Sequence, residues 1–241
     1  MRAEAEAALD GLFPATVAGA VLTLDDEVPC PYPAELDAIA GAAWRRQREF
    51  LAGRACAHAA LRAIGHDGQP IGSGPMREPL WPAGVVGSIS HAGRLAGAVA
   101  TRAVDAWGVG MDIELLDPPL HAAVQRLVLS PGELRAAPEL AKIAFAIKEC
   151  VYKCLYPRTR WRLDFHDVGV EIDSPSGGWR AAVDRRFRLD GQPLAAMQGR
   201  FATCGPYVVV GLVMASAGPD PGTGRSPRGH PRHRACSSAS A

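Results

Sequence analysis

The chain is poor in lysine: only Lys142, Lys148 and Lys153 occur in 241 residues, and arginine supplies the other 23 of its 26 basic side chains. All three lysines fall in one short stretch. A compact, flexible ammonium can follow a phosphate in ways that a planar guanidinium cannot, so Lys148 and Lys153 are candidates for chemistry rather than for surface charge. Other absences exclude whole classes. No run approaches the ~20 apolar residues of a membrane-spanning helix, and the start, Met1-Arg2-Ala3-Glu4-Ala5-Glu6, is too acidic and polar for a signal or transit peptide. The expectation is a cytoplasmic protein with no membrane partner. Cys30, Cys56, Cys150, Cys154, Cys204 and Cys236 include no C-x-x-C pair, which argues against a zinc site or a disulfide framework and for buried thiols. No lysine follows a glycine, so there is no G-x-x-x-x-G-K-[ST] loop. G-x-G-x-x-G at a helix start, H-E-x-x-H and G-x-S-x-G are also missing.

A chain of this length, 48% hydrophobic, can build one substantial core or two small lobes that share one. Its formal charge of +1 is unevenly divided. In 216–241 four arginines against Asp220 give +3, leaving −2 for 1–215. A slightly acidic body lacks the basic footprint that nucleic acid requires. The tail, 216–241, has no Leu, Ile, Val or aromatic residue and has the composition of a disordered segment.

Tyr32 to Ile64 has helical composition, with Pro31 and Pro33 at its start and Gly65 at its end. With Phe50 as origin, Ala57, Leu61 and Ile64 fall within about 40° on a helical wheel, and so do Arg46 and Arg54. Arginines on an inward face either snorkel to the edge or meet an anion. Val85–Ser90 and Leu95–Thr101 read as a hairpin turning at 91–94. Trp107–Leu115 reads as a third strand, in which Val109, Met111 and Ile113 alternate with Gly110, Asp112 and Glu114. Leu120–Leu129 reads as a helix, Ser130-Pro131-Gly132-Glu133 as a capping box that starts another, and Leu140–Tyr156 as a helix ended by Pro157. Segments 168–172, 179–182, 187–189, 198–203 and 207–214 read as strands of a mainly antiparallel sheet. Helix followed by strands thus occurs twice, which predicts an α+β fold of two lobes, 1–105 and 106–215, without a sequence repeat.

Three clusters carry chemistry. Asp112 and Glu114, two apart in a strand, lie on one face with Cα atoms ~6.6 Å apart. They suit a hard cation such as magnesium, or else form a solvated polar face. Glu149 and Lys153 share one helix face, as a surface ion pair or as site residues; Lys148 sits at the edge of the buried arc. Ser88-Ile89-Ser90-His91 closes a strand with two hydroxyls and an imidazole, either structural or beside the metal.

Taken in order, Arg46-x-x-Glu49-Phe50-x-x-Gly53-Arg54, Arg77-Glu78-Pro79-Leu80-Trp81-Pro82, Gly87-Ser88-Ile89-Ser90-His91, Gly108-Val109-Gly110-Met111-Asp112-Ile113-Glu114 and Lys148-Glu149-x-x-x-Lys153 resemble the motif set of the Sfp/EntD-type 4'-phosphopantetheinyl transferases, nearest the EntD-like branch. The resemblance runs from about residue 44 to 213. It implies two pseudo-symmetric lobes with coenzyme A in the cleft between them, and transfer of the phosphopantetheine arm to a serine of an acyl or peptidyl carrier protein by a monomer. It implies that Arg46, Arg54 and Arg77 bind the nucleotide phosphates, with Ser90 and His91 beside them, His91 at the 3'-phosphate. It assigns Asp112, Glu114 and Glu149 to Mg2+, with Mn2+ as a substitute. Glu149 becomes the base, Lys153 the pyrophosphate contact and Lys148 a catalytic neighbour. A non-catalytic coenzyme A or carrier binder, or another magnesium-dependent phosphotransferase, are the alternatives.

Overall fold

The structure, a computed structural model, describes residues 1–28, 32–66, 68–136 and 140–216. In chain order its elements are α1 (Arg2–Leu12), β1 (Ala18–Thr23), α2 (Pro33–Asp37), α3 (Trp44–Ala63), β2 (Gly72–Ser73), β3 (Pro79–Leu80), β4 (Val85–Ala92), β5 (Leu95–Arg102) and β6 (Gly108–Leu115). There follow α4 (Ala122–Val128), α5 (Pro131–Ala136), α6 (Ala141–Thr159), a 3-10 turn at Phe165–Asp167, β7 (Val168–Asp173), β8 (Gly178–Val183), β9 (Arg188–Leu189), β10 (Gln192–Pro193), β11 (Met197–Cys204) and β12 (Tyr207–Met214). Helix and antiparallel sheet are both present, as expected of an α+β chain.

A three-stranded sheet runs β1-β5-β4 and a five-stranded one β6-β12-β11-β8-β7. The β4–β5 hairpin turns through Gly93-Arg94, where Gly93 takes φ 56°, a conformation open to a residue without Cβ. Helix α3 covers the first sheet through Cys56, Ala57, Ala60 and Leu61. Helix α6 covers the second through Ile147, Cys150, Val151 and Leu155. A third cluster joins the two: Ala5 and Leu9 of α1 and Leu95 and Val99 of β5 pack with Met111, Ile113, Tyr207 and Val209.

Several boundaries move. The expected helix 32–64 is two, α2 and α3, separated by a bend with Gly41 at φ 83°. The expected end at Tyr156 lies one turn early, because Pro157 sits inside the last turn of α6 and the helix closes with Arg160 N donating to Tyr156 O at 2.9 Å. Proline lacks an N–H, but one turn from the end its neighbours still complete the helix. The capping box forms as read: Glu133 Oε2 accepts from Ser130 N at 2.7 Å, and Ser130 Oγ from Glu133 N at 3.3 Å. Helix α1 and strand β1 fall where only a short opening was read. Cys56, Cys150, Cys154 and Cys204 are buried free thiols; Cys30, Cys236 and all of the tail but Ser216 lie outside the described residues. Among those residues no helix is long and apolar enough to cross a membrane.

Candidate active site

Strands β4 and β6 are the facing edges of the two sheets, and serine hydroxyls join them. Ser88 Oγ accepts from Met111 N at 3.0 Å and donates to Met111 O at 3.2 Å, as a backbone partner would. Two residues on, Ser90 Oγ accepts from Ile113 N at 3.2 Å and donates to Asp112 Oδ1 at 2.8 Å. Three edge groups of β6, Met111 N, Met111 O and Ile113 N, are thereby satisfied without a ladder. Asp112 is only 2% exposed, and its Oδ2 is buried without a hydrogen-bond partner among the described residues.

Helix α6 lies close against β6 because that strand has glycine at 108 and 110. A Cβ at Gly110 would stand 2.2 Å from Cys150 O, and one at Gly108 2.9 Å from Cys154 O. This approach delivers Lys153 to the strand: its Nζ stands 2.5 Å from Asp112 Oδ1 and 3.0 Å from Ser90 Oγ. Lys153 therefore pairs across elements with Asp112. Burial pulls its ammonium down, and Asp112 and Glu149 more than restore it above its ordinary value. The Ser90 hydroxyl spends its proton and both lone pairs on Asp112, Ile113 and Lys153.

Lys148 is not brought to this group. It is 2% exposed, and Nζ donates to Val128 O at 2.8 Å, Glu133 Oε2 at 2.9 Å and Phe165 O at 3.0 Å. An ammonium has three donors, and none is left for a phosphate. Glu133 Oε1 in turn accepts from Val170 N at 2.7 Å, so the pair ties α6 to α5, the 3-10 turn and β7.

Burial, and then Asp112, pushes Glu114 up to about 7, against the pull of Lys142 and Lys153. Glu149 is raised chiefly by burial, with Lys153 opposing and Asp112 adding. Among the described residues no three His, Cys, Asp or Glu side chains are already grouped as a metal-holding cluster. The trio Asp112, Glu114 and Glu149 is thus coupled in charge without being preassembled. Asp112 pushes up both glutamates, and three carboxylates so placed form a donor set that suits a hard cation.

Arg46 and Arg54 of α3 face a cavity of about 450 Å³ lined also by Glu49, Ser73, Arg77 and His91, with the 38–42 bend as its rim. Arg54, 3% exposed, donates to Gly72 O and Ser73 Oγ at 3.0 Å each and lies 4.7 Å from the Phe50 ring centre. Burial brings its guanidinium down to about 10, with Glu35 opposing. Arg46 Nη1 reaches His91 Nε2 at 2.6 Å. Since arginine only donates, Nε2 accepts and the imidazole proton sits on Nδ1, 3.6 Å from Glu49 Oε2. Burial is the first cause that lowers the His91 pKa; Glu49 opposes it, and Arg46 and Lys153 add.

A smaller cavity, about 190 Å³, continues past Arg77 to Ser88, Glu149, Tyr152 and Lys153. Arg77, Pro79 and Ile89 line both. Sequence reasoning gave no role to Glu49, Ser73 or Tyr152. Glu49 stood inside a quoted motif, whereas Ser73 and Tyr152 carry no pattern of their own. Glu35 was also missed: its Oε1 accepts from His58 Nε2 at 2.8 Å and Ile71 N at 2.7 Å, fixing the approach to β2.

Comparison with known proteins places these residues in context. Residues 34–101 match the family model of the 4'-phosphopantetheinyl transferase N-terminal domain, and residues 108–197 that of the 4'-phosphopantetheinyl transferase superfamily. The chain is 32% identical over 218 residues to the 4'-phosphopantetheinyl transferase PptT of Mycobacterium tuberculosis, covering 84% of this chain and 96% of that one. It is 34% identical over 207 residues to the transferase Svp of Streptomyces mobaraensis, covering 80% and 82%. It is 38% identical over 131 residues to enterobactin synthase component D of Salmonella typhi, covering 51% and 53%.

Proposed function

The chain belongs to the 4'-phosphopantetheinyl transferase superfamily, and from that membership we propose how its residues move the phosphopantetheine arm of coenzyme A onto a carrier-protein serine. The observation that carries the reading is the line of charge along two adjoining cavities: Arg46 and Arg54 at one end, with the His91 imidazole beside them, Glu149 and Lys153 at the other, and Arg77 on the wall they share. Arg46, Arg54 and His91 bind the nucleotide phosphates, and Arg77 and Lys153 the diphosphate. The protein then comprises two α+β lobes, 1–105 and 106–215, with the substrate in the cleft between their sheets. Enterobactin synthase component D among the relatives favours carriers of siderophore, peptide or polyketide assembly.

Asp112, Glu114 and Glu149 would hold a divalent ion, magnesium or manganese, which supplies Lewis-acid neutralisation of the diphosphate when bound. Glu149, which lines the same cavity as Lys153, takes the proton of the carrier serine. The serine oxygen forms the new bond to the β-phosphorus. The bond to the bridging oxygen breaks, and 3',5'-adenosine bisphosphate leaves with the electron pair. Lys153 and the three arginines balance its charge, so the residues act by position and electrostatics. Lys148 positions α6 through Glu133.

Intact-mass spectrometry of an apo carrier incubated with the protein, coenzyme A and magnesium tests this: one phosphopantetheine should be added per carrier. Glu149→Gln should reduce transfer at least ~100-fold, the scale of general base catalysis, while coenzyme A binding by calorimetry stays within a few-fold. Undiminished turnover in that variant removes the assigned base.

A further inference from the structure

The β2–β3 hairpin is a poorly supported part of the site wall. Only two residue pairs join its strands, Gly72 with Leu80 and Ser73 with Pro79, and a ribbon of that size does not hold itself in water. Its turn places Arg77 at φ 63°, in the left-handed region that side chains with a Cβ avoid. Within the turn, Gly74 N donates to Glu78 O at 2.8 Å and Arg77 N to Gly74 O at 2.9 Å. At its base the hairpin is held by Arg54, which donates to Gly72 O and Ser73 Oγ; nearer the tip, one carboxylate makes two further ties. Glu78 Oε2 accepts from Met76 N at 2.9 Å, and Oε1 accepts from Arg160 Nη1.

Arg160 is the C-cap of α6, itself left-handed at φ 57°, with its guanidinium carbon 5.4 Å from the Tyr156 ring centre. Arg162, two residues on, brings Nη2 to 3.7 Å from Met76 Sδ. The hairpin tip is thus fastened to the end of the helix that carries Glu149 and Lys153. Met76, Arg77 and Glu78 line one cavity with those two residues, so the fastening sets the gap that the diphosphate must occupy.

We propose that Glu78 and Arg160 form a clasp that positions Arg77 for coenzyme A, acting through the turn rather than by touching the reacting atoms. The inference rests on the reading of Arg77 as a phosphate contact. A purely structural pair would alter stability. A positioning pair alters coenzyme A affinity and leaves the chemical step largely intact. The Arg160 side chain is 52% exposed and that of Glu78 only 7%, so Arg160→Gln changes the clasp with little risk to folding.

The test measures coenzyme A dissociation constants by calorimetry and steady-state transfer to an apo carrier for the full chain. Wild type is compared with Arg160→Gln, Glu78→Gln, the charge-swapped Glu78→Arg/Arg160→Glu pair, and Arg2→Ala as a control far from the site. Arg160→Gln and Glu78→Gln should weaken coenzyme A binding and raise its KM about tenfold, with kcat changed less than threefold. The swapped pair should recover at least half of that loss on a logarithmic scale, and the control should match wild type. Unchanged affinity in folded Arg160→Gln overturns the clasp, as does a fall in kcat alone or a swapped pair no better than either single variant. A wild type that binds no coenzyme A overturns the functional reading and the clasp with it, so the two failures are told apart.

Discussion

Lys148 and Lys153 stand five positions apart on one helix and do different work because of what surrounds them. Lys148 is enclosed by two carbonyls and a carboxylate; Lys153, whose side chain is 27% exposed, shares Asp112 with Ser90. Composition marked both as unusual, and helical spacing separated their directions, but which acceptors each would meet depends on residues 15 to 63 positions away. That Asp112 and Glu114 lie on one face of a strand was legible for the opposite reason, since a period of two is local. The hydroxyl of Ser90 was legible as a polar group closing a strand, but its partners on β6 and α6 were not. Ser90→Ala removes the donor to Asp112 and leaves Ile113 N without its acceptor, an unsatisfied-group cost of about 1–3 kcal/mol. Thermal melting should show that loss, and single-turnover transfer should slow at least tenfold, with coenzyme A affinity less affected. Equal losses in affinity and rate would instead place Ser90 on the phosphates.

At the scale of elements, placement of the chemistry depends on how closely α6 approaches β6. Gly110→Ala puts a methyl against the Cys150 carbonyl, which the helix must retreat to admit, and overpacking of this kind costs about 1–3 kcal/mol. The melting midpoint should fall by roughly 2–12 °C for a protein of this size. Transfer should fall further than stability predicts, because Glu149 and Lys153 move with the helix; full activity in a destabilised variant would contradict this. The Lys148–Glu133 pair fixes the outer side of the same helix. Burial pushes the Glu133 carboxyl up, but the Lys148 ammonium and the Ser130 and Val170 amides together hold it below its ordinary 4.5. Its contribution to stability is whole above pH 4.5 and is lost as pH falls from there through the depressed folded value. Melting curves between pH 6 and pH 3 should therefore fall more steeply for wild type than for Glu133→Gln. Parallel curves would show that the pair is not a source of acid sensitivity. The capping box was legible in four consecutive residues, whereas the bend between α2 and α3 was not, because a helical composition runs through it unbroken.

At the scale of the molecule, the order of helices and strands was readable from periodicity, while the joining of the halves was not. The seam is made by α1, whose residues carry no clear helical signal, and by residues of β5, β6 and β12 in one cluster with Leu9. A core shared in this way predicts one cooperative unfolding transition for the whole chain, with calorimetric and van't Hoff enthalpies that agree. Two resolved transitions would mean that the halves hold their structure separately. The serine stitching between β4 and β6 also has a bearing on fidelity. Of the two hydroxyls that clip the facing edges together, that of Ser90 also aims the Asp112 carboxylate, so a molecule in which that seam has parted loses the aim of its acid. Misfolded or partly opened copies would then be silent rather than wasteful, and would consume no coenzyme A.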